Sequence, residues 1–374
     1  MWAISIVIFT TIVVYNIAKT KNNYLQKVLD WLPAILLSYL IPAIISILFG
    51  YDGANDPIHQ WSKSFIIPLT IVAVMSSLSI HQLKAVGWKP ILIFASGSFF
   101  IAFFPIMLFI IGKFIPGLKD WLLTGDQWKG LVTIIGSWVG GSTSQLVLKE
   151  AVACPEAVFL AILIFDNVIV NLWTIFMFQF IKKSSLYNHI LKIKDDSIPD
   201  QIRAVKDHPI HPILAFFCLI VVVFLHYFFI TDFVAQILSL SLIGLIISNF
   251  WPPWNEAFAL KLGGVLIIIV MSILGLKLRL DNLTFDPLLI GILLIWIIGH
   301  LVFTVLIAKL LRVHLAWVAI GSMANVGGIA TAPAVTAAYK PAWMPHAILL
   351  AVLSMATGTF WGLLTITIIE NLFM

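Results

Sequence analysis

Long apolar segments separated by short polar loops run along nearly the whole chain. A transmembrane helix needs about 20 mostly apolar residues, and twelve segments approach this length. They cover residues 2–18, 31–49, 64–80, 90–112, 129–153, 155–181, 211–230, 233–250, 257–276, 287–311, 316–339 and 343–369. Strands of a membrane barrel would alternate apolar and polar residues, and these segments do not. The pattern predicts an all-α, multi-pass membrane protein with about twelve spanning helices.

The composition supports a membrane environment. The chain is 61% hydrophobic and 10% charged, whereas an ordinary soluble domain has about 25% charged residues, so a water-soluble enzyme is excluded. The net charge of +5 comes from Lys and Arg residues scattered over short loops, which is typical of residues that set membrane topology. We therefore expect the lipid bilayer as a partner and no nucleic acid. The expected location is the inner (plasma) membrane of a bacterium.

The two halves of the chain contain similar motifs. Ile-Gly-Ser-Trp-Val-Gly-Gly at residues 135–141 reappears as Ile-Gly-Ser-Met at 320–323, followed two residues later by Val-Gly-Gly at 326–328. We divide the chain into a first membrane repeat (1–181), a polar linker (182–211) and a second membrane repeat (212–374). Duplicated halves are typical of secondary transporters, whose binding site lies at the repeat interface near the bilayer midplane.

The fifth and eleventh segments are each interrupted by a pair of glycines. Unwound backbone within a membrane is tolerated only where it is buried in protein or lines a cavity, and the freed backbone groups and half-helix dipoles bind ions or small solutes. Close packing of small residues would explain one such pair, but two matched pairs favour broken helices. The candidate solute-binding residues are Gly140, Gly141, Ser142, Thr143, Ser144, Gln145, Ser322, Asn325, Gly327 and Gly328.

Asp166 lies within the sixth segment, and no other charged residue occurs between Glu156 and Lys182. An Asp at the centre of a membrane helix costs about 2.5–3.5 kcal/mol and is usually functional. At 100° per residue, one arc of the helix carries four polar residues. These residues, Asp166, Asn167, Asn171 and Thr174, are the candidate ion-binding site for H⁺ or for a Na⁺ near Asp166. A neutral, hydrogen-bonded Asp is the alternative, and no cofactor other than a bound Na⁺ is expected.

The chain has two broken helices, each followed by a long helix, and Asp166-Asn167 lies in the helix after the first break. In this arrangement it resembles the cation:proton antiporter and anion transporter superfamily. The Gly-Ser-x-x-Gly-Gly and Asn-x-Gly-Gly motifs are most similar to the YjcL-like family, domain of unknown function 819. The resemblance implies an antiporter- or bile-acid-symporter-like fold in which the broken helices cross at mid-membrane. It also makes Asp166 and Asn167 the cation site. It further implies that segments four to six and ten to twelve form one compact unit, and the earlier segments a second.

Some features depart from that pattern. Asp-Asn reverses the usual order of the acidic motif, and His300 stands in the tenth segment, where some antiporters carry Lys. Both differences leave room for a cation-coupled symporter. Inverted repeats need an odd number of membrane crossings from one broken helix to the other. Counting from the fifth segment to the eleventh gives six. Either one segment is miscounted or the halves are parallel.

The leading hypothesis is a secondary active transporter that couples Na⁺ or H⁺ binding at Asp166 to movement of a small solute at the broken helices. A Na⁺/H⁺ antiporter without an organic substrate is an alternative in the same class. An alternative of another class is an intramembrane serine hydrolase, with Ser142 or Ser144 as nucleophile and His300 as base. We expect no enzyme. The sequence leaves the solute, the orientation and the formation of a homodimer open.

Overall fold

The computed structural model describes residues 2–20, 22, 29, 34–77, 86–193, 209–230, 232–277 and 286–374. Throughout these ranges every regular element is a helix. The α-helices are α1 (Trp2–Ala18), α2 (Ala34–Leu48), α3 (Ile58–Trp61), α4 (Ile67–Met75), α5 (Trp88–Gly112), α6 (Pro116–Thr124), α7 (Gln127–Ala151), α8 (Glu156–Lys182), α9 (Ser184–Leu191), α10 (Pro212–Phe229), α11 (Phe233–Phe250), α12 (Glu256–Gly275), α13 (Pro287–Leu311), α14 (Ala316–Val326), α15 (Gly328–Ala337) and α16 (Met344–Phe373). A π-helical turn (Ser62–Ile66) precedes α4, and a 3₁₀ turn (Pro341–Trp343) precedes α16.

By length and composition, seven helices of the described chain can cross a membrane: α5, α7, α8, α10, α12, α13 and α16. Shorter apolar helices cover Trp2–Ala18, Leu37–Leu48, Ala235–Phe250 and Ala316–Val326. Every predicted segment contains described helical residues, although residues 31–33 and 78–80 lie outside the described part. The prediction of a multi-pass helical protein is confirmed, whereas twelve spans in two repeats stay a prediction.

Polar residues at the helix starts explain several of these boundaries. Asp232, Asn255 and Asp286 precede α11, α12 and α13. Their side chains accept hydrogen bonds from the backbone N–H groups of Ala235, Phe258 and Leu288 at 2.8, 3.0 and 2.8 Å. The first N–H groups of a helix have no partner within the helix, so these N-caps stabilise the ends.

The helices form two compact units, and each unit takes helices from both halves of the chain. The first consists of Met1–Leu78, Pro155–Asn167 and Lys206–Thr284, and the second of Ser79–Cys154, Val168–Val205 and Phe285–Met374. This is the grouping that the family resemblance implies, with one difference. The division falls inside α8, so the beginning of the predicted sixth segment belongs to the first unit. The linker residues 194–208 lie outside the described part.

The first unit has an apolar core between α4, α10, α11 and α12. Leu69 and Val72 of α4 pack with Leu219 of α10, Leu240 of α11 and Leu266 of α12, all of them buried. In a membrane such side chains stabilise the unit through close van der Waals packing, because lipid is as apolar as the core.

Tyr39 holds the beginning of α8 within the first unit. Its side chain is fully buried, and its hydroxyl donates to Glu156 Oε2. Its ring meets the edge of the Phe159 ring, with centroids 5.7 Å apart and an interplanar angle of 84°. A hydrogen bond and an aromatic contact therefore fix the first turn of α8.

A cluster of aromatic rings occupies the core of the second unit. Trp296 of α13 packs against Trp138 of α7, with centroids 5.0 Å apart, and stacks on Phe104 of α5 at 5.1 Å. Trp138 and Trp296 are fully buried. Offset and tilted rings at such distances contribute beyond the area they bury, and they anchor the first half of α7.

Candidate functional site

Helix α7 is interrupted at Gly141, where φ is 71° and ψ is −169°. This region of backbone space is open essentially to glycine alone. The bend is so sharp that a Cβ added to Gly136 would lie 2.7 Å from Cα of Gln145, nine residues later. The interruption predicted at Gly140-Gly141 is confirmed.

A second interruption separates α14 from α15. Helix α14 ends at Val326, and α15 starts at Gly328, whose φ of 66° lies in the left-handed region. Glycine accepts this conformation without the steric cost that a Cβ would add. The prediction of an interruption within Asn325–Gly328 is also confirmed.

The two interruptions share the same local arrangement. The first glycine of each pair is packed against a hydroxyl four residues later: a Cβ on Gly140 would lie 2.0 Å from Ser144 Oγ, and one on Gly327 would lie 1.8 Å from Thr331 Oγ1. The second glycine of each pair, Gly141 or Gly328, has no heavy atom within 4 Å of its Cβ position in the described structure. Each interruption therefore has a packed side and a side with space beside it.

Ser354 of α16 links the two interrupted helices. Its hydroxyl is within hydrogen-bond distance of the Val139 carbonyl, two residues before the interruption of α7, and 3.1 Å from Asn325 Oδ1, near the end of α14. A helix end leaves carbonyls without an intrahelical partner, and Ser354 supplies one. Since a hydroxyl has a single proton, it donates to one of these acceptors at a time.

The Asn325 amide is engaged with protein groups on both sides. Its Nδ2 donates to the Phe94 carbonyl at 3.2 Å, and its Oδ1 accepts from Ser98 at 2.9 Å. The residue is 2% exposed. Asn325 thus fastens the end of α14 to α5, and the solute contact that the sequence assigns to it stays a prediction.

We predict that Ser354→Ala lowers the free energy of unfolding by about 1–3 kcal/mol, because a buried acceptor loses its partner. Ser354→Thr keeps the hydroxyl and should lose less. The measurement is equilibrium unfolding of the purified protein in mixed detergent. Thr367→Ala is the matched control, since this exposed hydroxyl of the same helix bonds only locally, to Leu363 O at 3.0 Å. An equal loss in Ser354→Ala and Thr367→Ala would contradict the assignment.

Helix α16 also packs closely against both halves of α7. A Cβ on Gly358 would lie 2.2 Å from Gly140 Cα, so the two backbones touch there. One residue further on, Thr359 Oγ1 donates to Ser144 Oγ at 3.0 Å. Glycine at such a crossing lets helices approach closely, and α16 is therefore the support of the first interruption.

Ser322 lies in a buried cluster with His300 and Trp173. Trp173 Nε1 donates to Ser322 Oγ at 2.9 Å, and His300 Nε2 lies 3.1 Å from the same oxygen. Because the indole can only donate, the Ser322 hydroxyl proton is free to bond with His300 Nε2. The hydrolase alternative instead needs His300 beside Ser142 or Ser144, and it stays a prediction.

The predicted ion-binding residues fall in different units. Asp166, which is 6% exposed, and Asn167 belong to the first unit, whereas Asn171 and Thr174 belong to the second. Thr174 Oγ1 donates to the Val170 carbonyl at 2.7 Å within α8. Asn167, Asn171 and Thr174 are partly buried, so the polar stripe lies on a partly covered side of α8.

The residue types of this stripe suit a hard cation. Carboxylate, amide and hydroxyl oxygens are the ligands that such ions take. Among the described residues, no group of three or more His, Cys, Asp and Glu side chains is placed to hold a metal ion. A Na⁺ near Asp166 would therefore rely on no more than two such side chains of the described residues, together with neutral oxygens.

Several residues of the site were not predicted. They are Ser98, Trp173, Thr331, Ser354, Gly358 and Thr359. A signal for part of this set is present in the sequence, because Ser354, Gly358 and Gly362 recur every four residues. This spacing puts small residues on one face of a helix and is typical of close helix contacts.

Seven apolar helices of the described chain are long enough to cross a membrane, and one unit contains two helices interrupted at glycine. The protein is therefore a multi-pass integral membrane protein. The model of the family described as "Protein of unknown function (DUF819)" matches residues 5–372. The chain belongs to this family, as the sequence motifs indicate. No curated protein matches the sequence.

Proposed function

We propose that this protein is a secondary active transporter in which Na⁺ or H⁺ binding at Asp166 drives movement of a small solute at the interrupted helices. The observation that carries the proposal is the pair of similar interruptions within one unit, joined through Ser354. Exposed backbone groups at membrane depth are costly unless they are buried or line a cavity. In transporters, half-helix ends of this kind bind solutes and coupling ions.

Asp166 is the proposed coupling residue because it is a buried acid in an apolar helix. Its side chain is 6% exposed, and ionisable residues in such positions usually mark ion or proton pathways. A single carboxylate that accepts either a proton or a Na⁺ would let the two compete for one site.

Helix α8 supplies a route from Asp166 to an interrupted helix. Trp173 follows Asp166 by seven residues, which is two turns on the same face, and it donates to Ser322 of α14. A shift of α8 on ion binding would therefore move Trp173 and act on α14 just before its interruption.

We favour solute symport over Na⁺/H⁺ antiport, since hydroxyl and amide groups beside the interruptions exceed what a single ion needs. Ser142, Thr143, Ser144 and Gln145 follow the first interruption directly. The placement in the cation:proton antiporter and anion transporter superfamily, the YjcL-like assignment, the bacterial inner membrane and a homodimer belong to the same proposal.

The test is uptake of radioactive Na⁺, together with H⁺ uptake followed by a pH-sensitive dye inside the vesicles, by proteoliposomes that contain the full chain under an imposed Na⁺ or pH gradient. We expect uptake above that of protein-free liposomes, and its loss when an ionophore collapses the gradient. Uptake that needs an added solute indicates symport, and uptake without one indicates antiport. Flux equal to protein-free liposomes under both gradients would contradict the proposal.

A pair of glycine variants tests the role of the interruption itself. A Cβ meets no atom within 4 Å at either Gly141 or Gly264, but only Gly141 has a positive φ, of 71°. Gly141→Ala should therefore disturb only the interruption and reduce uptake strongly. Gly264→Ala, in α12, should retain uptake. Equal uptake by the two variants would mean that the interruption has no role in transport.

A further inference from the structure

Gln145 is a buried amide whose NH₂ group makes no hydrogen bond within the described part of the protein. The residue is 3% exposed and lies in the second half of α7. Leaving a buried donor unpaired is unfavourable, and replacement by an apolar group of the same shape costs little or stabilises. Fold stability therefore does not explain a glutamine here.

Gln145 lies one helical turn after the interruption of α7. It follows Gly141 by four residues, and side chains of a helix lean towards the helix N-terminus. That end is the start of the second half of α7, where space adjoins Gly141. The first N–H groups of a helix lack intrahelical partners and carry a partial positive charge.

Thr331 supplies a second unpaired donor, beside the other interruption. Its Oγ1 is buried and has no hydrogen-bond partner among the described residues. The oxygen lies 1.8 Å from the Cβ position of Gly327, and the start of α15 at Gly328 borders open space. Each interruption thus combines the start of a half-helix with an unpaired side-chain donor.

A buried ion pair lies one turn beyond Gln145 in α7. Lys149 is 3% exposed and follows Gln145 by four residues, so the two side chains share a face of the half-helix. Its ammonium lies 3.4 Å from Glu150 Oε1. Glu150 balances the Lys149 charge, so the half-helix start and the unpaired amide NH₂ are the groups that favour a ligand that accepts hydrogen bonds and carries negative charge.

We propose that the solute is a small carboxylate, and that Gln145 Nε2 and Thr331 Oγ1 donate hydrogen bonds to it, one at each interruption. This inference rests on the proposed transport function of the same site and names its substrate class. The carboxylate oxygens would supply the acceptors that both donors lack in the protein alone.

The experiment is a thermal-unfolding titration of the purified full chain in detergent with acetate, succinate, citrate and L-glutamate. Acetamide and succinamide are the uncharged counterparts. We expect at least one carboxylate to raise the unfolding temperature and the amides to have no effect. Thr331→Val should weaken the apparent affinity about 10-fold, and Gln145→Leu about 10- to 100-fold, as expected for lost hydrogen bonds to a charged group.

Stability without ligand separates a binding role from a structural one. Gln145→Leu should unfold at the same temperature as the wild type or a higher one, because an unpaired polar group is replaced. Gln236→Leu, at a buried glutamine of α11, and Thr133→Val, whose hydroxyl bonds to Gly130 O at 2.7 Å, are the matched controls. Both should keep the ligand-induced shift.

The inference is overturned if none of the four carboxylates stabilises the wild type, if the amides act equally, or if Gln145→Leu keeps the full shift. These outcomes are distinguishable from failure of the transport proposal. Gradient-driven Na⁺ flux without carboxylate binding would leave the transporter intact and remove this substrate class. Carboxylate binding that depends on Gln145, in a protein without flux, would support the site and contradict transport.

Discussion

Asp166→Asn should abolish gradient-driven uptake while the protein still folds. The change removes the carboxylate charge at nearly constant volume, and a bond between a cation and a charged ligand is stronger than one to a neutral amide. We expect Na⁺ binding to weaken about 10- to 100-fold, corresponding to about 1.5–3 kcal/mol for a hydrogen bond or contact to a charged group. The measurement is Na⁺- or pH-driven uptake in proteoliposomes, wild type beside variant.

Asp232→Asn is the matched control for Asp166→Asn. Asp232 is an exposed N-cap of α11, and Asn caps a helix as well as Asp does, so fold and uptake should both be retained. The unfolding temperature of Asp166→Asn should equal or exceed that of the wild type, since burying an amide costs less than burying a charge. Unchanged coupling in a well-folded Asp166→Asn protein would assign this carboxylate a structural role.

The interruptions were predictable because their signal is local. Paired glycines inside an otherwise apolar segment provide a conformation that other residues resist, and Gly141 adopts a φ of 71° and a ψ of −169°. The recurrence of Val-Gly-Gly in both halves makes chance packing a poor explanation. A backbone conformation restricted to glycine leaves a direct mark on the sequence.

The partners of the interrupted helices were not predictable from local patterns. Ser98 and Asn325 are bonded although 227 positions separate them, and Ser354 reaches Val139 across 215 positions. A hydroxyl in an apolar helix can also bond to the carbonyl four residues earlier, as Thr174 does with Val170. The residue type alone does not reveal which of these contacts forms.

The grouping of helices into two units came from family resemblance, whereas the division inside α8 had no signal. An uninterrupted apolar helix shows no composition change where its contacts pass from one unit to the other, and this happens after Asn167. The predicted repeats follow the order of the chain, but each compact unit combines helices from both halves.

Gly358→Ala should destabilise the second unit more than other single-methyl additions. The new Cβ would lie 2.2 Å from Gly140 Cα and 2.5 Å from Gly140 N, and backbone atoms cannot rotate away as a side chain would. Helix α16 would have to move off α7, and Ser354, one turn earlier on the same face, would move with it. Overpacking of this kind costs about 1–3 kcal/mol, measured as a lower free energy of unfolding in mixed detergent.

Gly291→Ala is the matched control for Gly358→Ala, because it adds the same methyl group to a helix of the same unit. A Cβ on Gly291 of α13 meets no atom within 4 Å, so the change should be neutral or stabilise by about 0.5–1 kcal/mol through helix propensity. Uptake should be lost in Gly358→Ala, since the displaced Ser354 no longer joins Val139 to Asn325, and kept in Gly291→Ala. If the two variants have the same stability and the same uptake, the close approach of α16 to Gly140 does not support the interruption, and α16 has no special part in holding it.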